Sequence, residues 1–162
     1  MPMIDASIPA GALAAEAERR LFGELAEIWI RLEGFDPSSV AAREATWLFL
    51  TRPAVFVAGT PADRPRYPFV VSVPEGQYDD ERRAAVVREM TAAVARAEGN
   101  DPSDVSARVW IFPLEVPHGC WGGRGAVRRL PDIFASLIGE QARADAVARL
   151  AARRRGDPGD PS

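Results

Sequence analysis

The segment SIPAGALAAEAERRLFGELAEIWIRLEGFDPSSVAAR (residues 7–43) decides the fold, because it recurs without a gap as SVPEGQYDDERRAAVVREMTAAVARAEGNDPSDVSAR (residues 72–108). Fourteen aligned positions carry the same residue, and the glycines and prolines that mark turns stay in register. Such self-similarity at a fixed offset indicates that the chain contains a duplicated structural unit.

Each unit has the pattern of a strand, a helix and a second strand. The first strands are PMIDASI (2–8) and YPFVVSV (67–73), and each is followed by a Pro-x-Gly turn. Apolar residues then recur every three or four positions, which predicts one buried helix stripe per unit. In the first unit the stripe is Leu13, Ala17, Leu21, Leu25, Ile28 and Leu32, and in the second it is Val86, Met90, Ala93 and Ala97.

Both predicted helices end at a glycine, Gly34 and Gly99, and each glycine precedes an Asp-Pro turn. The second strands that follow are continuously apolar, which is typical of strands buried on both faces. Strand-helix-strand units favour parallel pairing through a right-handed crossover. We therefore predict an α+β fold with a four-stranded, mostly parallel sheet and two helices on one face. The other sheet face is left uncovered, which predicts an oligomer.

The remainder of the chain predicts a C-terminal extension. GCWGGRGAV (119–127) has the composition of a hairpin, a helix is expected over 131–155, and residues 156–162 are expected to be a disordered tail. The two units span about 2–58 and 67–127, within one domain covering 1–130.

Composition excludes several classes of function. The formal charge of −3 gives no basic footprint for nucleic acid, and no apolar run is long enough for a membrane span. A single cysteine fits a reducing cytoplasm, and one histidine with one cysteine cannot provide the usual ligands of a zinc site. We therefore expect a cytoplasmic protein without a metal.

Three features together resemble the tautomerase superfamily: Pro2 at the head of a duplicated β-α-β unit, EGQYDDERR (75–83) and EVPHGCWGGRG (115–125). The resemblance implies the tautomerase/MIF-like fold, a homotrimer, a small carboxylate substrate and no cofactor. It also implies that Pro2, freed as a secondary amine by removal of Met1, is the catalytic residue. A pocketed amine with a pKa near the operating pH is an effective general base.

The resemblance further suggests which residues surround Pro2. Candidate ligands for the substrate carboxylate or enolate are Arg43, Arg108 and Arg124, and candidate pocket residues are Gln77, Trp121 and Phe112. The chain also departs from the family pattern. Gln77 stands where the short members carry an arginine, and the water-activating acids of related dehalogenases and decarboxylases fall at about Gly123 and Ala42.

These residues favour keto-enol or double-bond tautomerisation of a small 2-oxo or dienoate acid. One alternative is a cofactor-free dehalogenase, hydratase or decarboxylase of a three-carbon acid, which the missing acids disfavour. Another is a non-catalytic trimeric binding module, in which Pro2 only begins a strand.

Overall fold

A computed structural model describes residues 2–156, so Met1 and the predicted tail from 157 onward lie outside the described residues. In chain order the elements are β1 (Met3–Ser7), α1 (Ala15–Leu32), α2 (Val40–Glu44), β2 (Trp47–Thr51), β3 (Phe56–Val57), β4 (Thr60–Pro61), β5 (Tyr67–Pro74), α3 (Asp80–Glu98), α4 (Pro102–Ser106), β6 (Val109–Val116), β7 (Gly122–Gly123), β8 (Ala126–Val127), α5 (Leu130–Ile138), a 3₁₀ turn (Glu140–Ala142) and α6 (Arg143–Gly156).

The two repeats form one four-stranded sheet in the order β2-β1-β5-β6. Within each repeat the strands are parallel, and the repeats meet where β1 pairs antiparallel with β5. This arrangement confirms the predicted α+β, mostly parallel sheet. Because Met3 pairs with Ser72, the beginning of β1 lies beside the end of β5. The turn after β5 is therefore at the same end of the strands as Pro2, whereas Tyr67 lies at the opposite end.

Both long helices bury their predicted apolar stripes against one face of the sheet. Leu21 and Leu25 of α1 and Val86 and Met90 of α3 are almost fully buried in a single core. The Asp79 side chain caps α3, and Gly99 ends it in the left-handed conformation that glycine adopts without steric cost. The repeats are thus held together by a continuous helix layer.

The other sheet face is open to solvent. Large apolar side chains on this face are strongly exposed, with Trp47 62%, Trp110 67% and Leu114 50% exposed. The expectation that β2 and β6 are buried on both faces is wrong for the single chain, since the helices cover one face only. An apolar surface of this kind marks an interaction site.

The C-terminal region forms two helices where the sequence predicts one helix over 131–155. The break falls at Gly139, whose φ of 99° lies in the region that favours glycine. Helices α5 and α6 pack at one end of the sheet and contribute to a second apolar core. A Cβ atom on Gly76 would lie 3.0 Å from Leu130 Cδ2 and 3.1 Å from Leu150 Cα, so this close approach requires glycine.

Arginines of α6 fasten this region to the end of the sheet. Arg153 Nε lies 2.7 Å from Glu115 Oε2, and Arg154 Nε lies 3.0 Å from Glu75 Oε1. Within residues 2–156, every helix is too short or too polar to cross a membrane.

Candidate functional site

Pro2 lies buried directly before β1 and lines a cavity of ≈ 370 Å³. Its carbonyl oxygen accepts a hydrogen bond from Trp47 N at 3.3 Å, which ties the residue to the neighbouring strand β2. The side chains and backbone around the cavity come from Pro2, Met3, Ala41, Glu44, Ala45, Trp47, Trp121, Gly122, Gly123, Arg124, Arg128, Ser136 and Leu137. The volume suits a small ligand.

One wall of the cavity is the glycine-rich hairpin of β7 and β8, which brings Trp121, Arg124 and Arg128 to Pro2. At the base of the hairpin Arg128 N donates to the Trp121 carbonyl oxygen at 2.7 Å. The two-residue loop consists of Arg124 and Gly125, with φ values of 52° and 74°. Positive φ at both positions is the requirement of a type I′ turn, which favours Asn-Gly.

Arginine in this left-handed conformation costs backbone energy, of order 1–3 kcal/mol. Such strain persists where the surrounding structure holds it, and it clusters at functional sites. Within the described residues, neither Arg124 nor Arg128 has a carboxylate within ion-pair distance, although most arginines of the chain are paired. This segment therefore presents two arginines without a described ion-pair partner within 4.0 Å to the Pro2 cavity.

A second wall comes from the end of α2 and the start of β2. Glu44, the last residue of α2, lines the cavity, and its carbonyl oxygen accepts a hydrogen bond from Trp47 Nε1 at 2.9 Å. Leu137 of α5 contributes an apolar side chain from a third direction. Sequence reasoning missed Glu44, Arg128 and Leu137, and only the position of Arg128 close to Arg124 in the glycine-rich segment gave a signal.

Gln77 does not line this cavity and lies in the buried turn after β5. The turn is held by Glu115 Oε1, which accepts hydrogen bonds from Gly76 N at 2.9 Å and Tyr78 N at 3.0 Å. Arg149 Nη1 of α6 lies 3.4 Å from Gln77 Oε1, and 2.8 Å from the Glu33 carbonyl oxygen. The turn is thus fastened to α6 instead of opening into the Pro2 cavity.

Burial shifts the pKa values of two ionisable groups close to the turn after β5. Burial raises the pKa of the Glu33 carboxyl group, whose residue is 2% exposed. Burial also raises the pKa of Tyr78, and the negative charges of Glu33 and Glu115 add to this effect. The interior side of the turn therefore disfavours additional negative charge.

Arg108 lies at the opposite end of the sheet and is sealed in an ion pair. Its Nη1 and Nη2 atoms donate to Glu98 at 2.8 and 2.6 Å, and Tyr67 Oη donates to the same carboxylate at 2.5 Å. The hydrogen bonds from Arg108, opposed by desolvation and supported by Tyr67, lower the pKa of Glu98 to about 2. Arg108 is therefore not at the Pro2 cavity of its own chain.

Two other predicted site residues also lie away from the cavity. Arg43 donates to the Pro37 carbonyl oxygen at 3.0 Å and lies 3.7 Å from Glu27 Oε1. Phe112 is on the open sheet face, two strands from β1. Of the predicted set, the structure brings only Trp121 and Arg124 to Pro2, and it leaves Arg43, Arg108, Gln77 and Phe112 elsewhere.

Similarity to known proteins is found in structure and not in sequence. No protein-family model matches the chain, and no curated protein matches it significantly. Among solved structures, Pt0534 inactivated by 2-oxo-3-pentynoate superposes with a TM-score of 0.62 at 21% identity, over 77% of this chain and 94% of that one. The chain shares the fold of this structure, a tautomerase/MIF-like fold.

Two further structures share this fold. N1, a member of the cis-3-chloroacrylic acid dehalogenase family, superposes with a TM-score of 0.62 at 14% identity, over 90% of this chain and 99% of N1. A fused 4-OT that forms a symmetric trimer superposes with a TM-score of 0.61 at 20% identity, over 77% of this chain and 94% of that one. The predicted fold is confirmed by these tautomerase-superfamily structures.

Proposed function

We propose that this protein is a tautomerase in which Pro2 is the general base and acid. The observation that carries the proposal is that the buried Pro2 lines a cavity together with two arginines that have no described ion pair within 4.0 Å. The substrate is a small 2-oxo or dienoate acid, interconverted between enol and keto forms or between double-bond isomers. The inactivation of Pt0534 by a 2-oxo acid supports this substrate class.

Removal of Met1 is required, because only then is the nitrogen of Pro2 a basic amine. A free α-amino group has a pKa of about 7.7–8.0, and both burial and nearby cations lower that value. Arg124 and Arg128 supply the cations, and Pro2 itself is buried where it lines the cavity. The amine is then largely neutral near pH 7 and able to accept a proton.

For ketonisation, the nitrogen of Pro2 takes the proton of the enol hydroxyl. The O–H electron pair forms the new carbonyl π bond, and the former C=C pair takes the proton back from Pro2 at carbon. One guanidinium binds the substrate carboxylate through charge-assisted hydrogen bonds, and the other stabilises the enolate oxygen. Proton and electrons balance without another reactant.

We also propose a homotrimer assembled through the open sheet face. The exposed apolar side chains of Trp47, Trp110 and Leu114 give this face the character of an interface. The trimeric fused 4-OT supports the same assembly for this chain.

A second candidate is a cofactor-free hydratase, dehalogenase or decarboxylase of a three-carbon acid. One observation favours it: an acidic residue, Glu44, lines the cavity, although the positions expected for a water-activating acid, Gly123 and Ala42, carry none. Formation of malonate semialdehyde from cis-3-chloroacrylate by the wild type, lost in Glu44→Gln, would establish this activity in place of tautomerisation.

The deciding experiment compares the ketonisation rate of phenylenolpyruvate by the wild type and Pro2→Ala. The loss of a positioned general base reduces the rate by roughly 10²–10⁴-fold. Intact mass must show that both proteins begin at residue 2, and circular dichroism must show that both are folded. Equal rates from the two proteins would exclude Pro2 as the working amine.

A further inference from the structure

The charges around Pro2 are arranged unevenly. Arg124 and Arg128 both belong to the hairpin segment, whereas Glu44 comes from the end of α2. All three residues line the same cavity, yet the Glu44 carboxylate is farther than 4.0 Å from both guanidinium groups, since no ion pair joins them. The cavity therefore has a cationic wall and a separate region with one negative charge.

Glu44 is exposed, and within residues 2–156 its carboxylate has no hydrogen bond or ion pair. Its only described polar contact is through the backbone, where its carbonyl oxygen accepts from Trp47 Nε1. A structural explanation for this charge, such as capping or pairing with a neighbouring arginine, is therefore not present. The carboxylate remains available to act on whatever enters the cavity.

A bound 2-oxo acid has a defined orientation in this cavity. Its carboxylate is drawn to Arg124 and Arg128, its reacting carbons must lie over Pro2, and its remaining atoms extend toward the other walls. Those walls provide the apolar side chains of Leu137 and Trp47 next to Glu44. A tail that carries a second carboxylate would meet the unpaired charge of Glu44.

We propose that Glu44 makes the site selective for monocarboxylates with an uncharged, apolar tail over dicarboxylates of the same shape. This inference rests on the proposed function, because it assigns the orientation of the substrate from the position of Pro2. Glu44 acts here on specificity and takes no proton from the substrate. Repulsion between two unit charges that are partly screened by water changes kcat/KM by about tenfold.

The test uses a matched pair of substrates, phenylenolpyruvate and 4-carboxyphenylenolpyruvate, which differ only by a carboxylate on the tail. The wild type is expected to prefer the monocarboxylate in kcat/KM, and Glu44→Gln is expected to reduce that preference about tenfold. Glu81→Gln removes the same charge at an exposed site of α3 outside the cavity, so it should keep the wild-type preference. Glu44→Asp, which keeps the charge, should keep most of it.

An unchanged preference in Glu44→Gln would overturn the inference. A loss of turnover for both substrates at an unchanged ratio would also overturn it, because Glu44 would then belong to the chemistry. Binding of cinnamate and 4-carboxycinnamate, measured by calorimetry, separates this inference from the proposed function. If the wild type converts neither enol, the proposed function fails, while a preference for cinnamate that disappears in Glu44→Gln still supports the selectivity. Equal or undetectable binding of the two acids overturns it.

Discussion

The two repeats place equivalent residues at opposite ends of the sheet, and they use them differently. At the end of the second repeat Tyr67 is fully buried, and its hydroxyl group and the guanidinium of Arg108 both bind Glu98. At the end of the first repeat the position of Tyr67 is taken by Pro2, beside an open cavity. One end is sealed by a hydrogen-bonded ion pair, and the other is left accessible.

The equivalents of Glu98 and Arg108 show how the first end stays open. Glu33 is more deeply buried than Glu98, but Arg43 bonds instead to the Pro37 carbonyl oxygen and lies near Glu27. In its place Arg149 of α6 approaches the Glu33 backbone. The two equivalent ends therefore differ in structure: an ion pair fills the end of the second repeat, and a cavity borders the end of the first.

The largest expected effect concerns the sheet face that both repeats share. Trp110→Asp places a charge among exposed apolar side chains of β6, where an assembled face would exclude water. We expect the wild type to sediment as a trimer and Trp110→Asp to sediment as a monomer. The measurement is sedimentation velocity at micromolar concentration.

A matched control is Val87→Asp, which charges an apolar side chain that is 42% exposed on α3, on the other side of the molecule. It should leave the trimer intact. A monomeric wild type would show that the open face is not an interface.

The second prediction tests the sealed end directly. Arg108→Gln leaves the Glu98 carboxylate buried without its cation, and breaking a buried pair in this way lowers the free energy of unfolding by about 3 kcal/mol. Arg43→Gln, at the equivalent position of the first repeat, removes an exposed and distant pair and should cost less than about 0.5 kcal/mol. Urea unfolding of both variants gives the difference, and similar costs would show that the ends are not distinct.

The pH dependence of stability sharpens the same comparison. Arg108 holds the pKa of Glu98 at about 2, below the value of about 4.3 in an unfolded chain. The stabilisation is therefore fully present above about pH 5 and is lost as the pH falls toward 2. We expect the wild type to be more stable than Glu98→Gln by about 3 kcal/mol at pH 7, with a gap that narrows steadily below pH 5. Urea midpoints at pH 7, 5 and 3.5 measure it, and a constant gap would contradict the assignment.

The repeated architecture could be predicted from the sequence because its signals are local. The apolar stripe of α1 and the stop at Gly99 each depend on residues within a few positions, and the recurrence of such signals at a fixed offset indicated the topology. The break at Gly139 escaped prediction because one glycine inside a helical pattern is usually tolerated. Its consequence, the docking of α6, depends on contacts between residues far apart in sequence.

The surroundings of Pro2 could be predicted only in part, for a related reason. Arg43 and Arg108 match in the alignment, yet their partners come from elsewhere in the chain, and the alignment cannot show which carboxylate each one meets. Glu44 and Arg128 converge on the cavity from segments that are far apart in sequence. Trp121 and Arg124 were found because both lie in the short segment EVPHGCWGGRG, which carries part of the family resemblance.

The last prediction tests the open end, where the strained loop residue Arg124 lines the Pro2 cavity. Arg124→Asn creates the Asn-Gly loop that a type I′ turn prefers, so the free energy of unfolding should rise by about 1 kcal/mol. The same change removes one cation from the Pro2 cavity, and KM for phenylenolpyruvate should rise about tenfold. Arg88→Asn, an arginine of α3 outside the cavity, controls for the loss of charge. A gain in stability without a change in KM would mean that the strained turn holds Arg124 for some purpose other than substrate binding, and Arg128 would remain as the cation of the site.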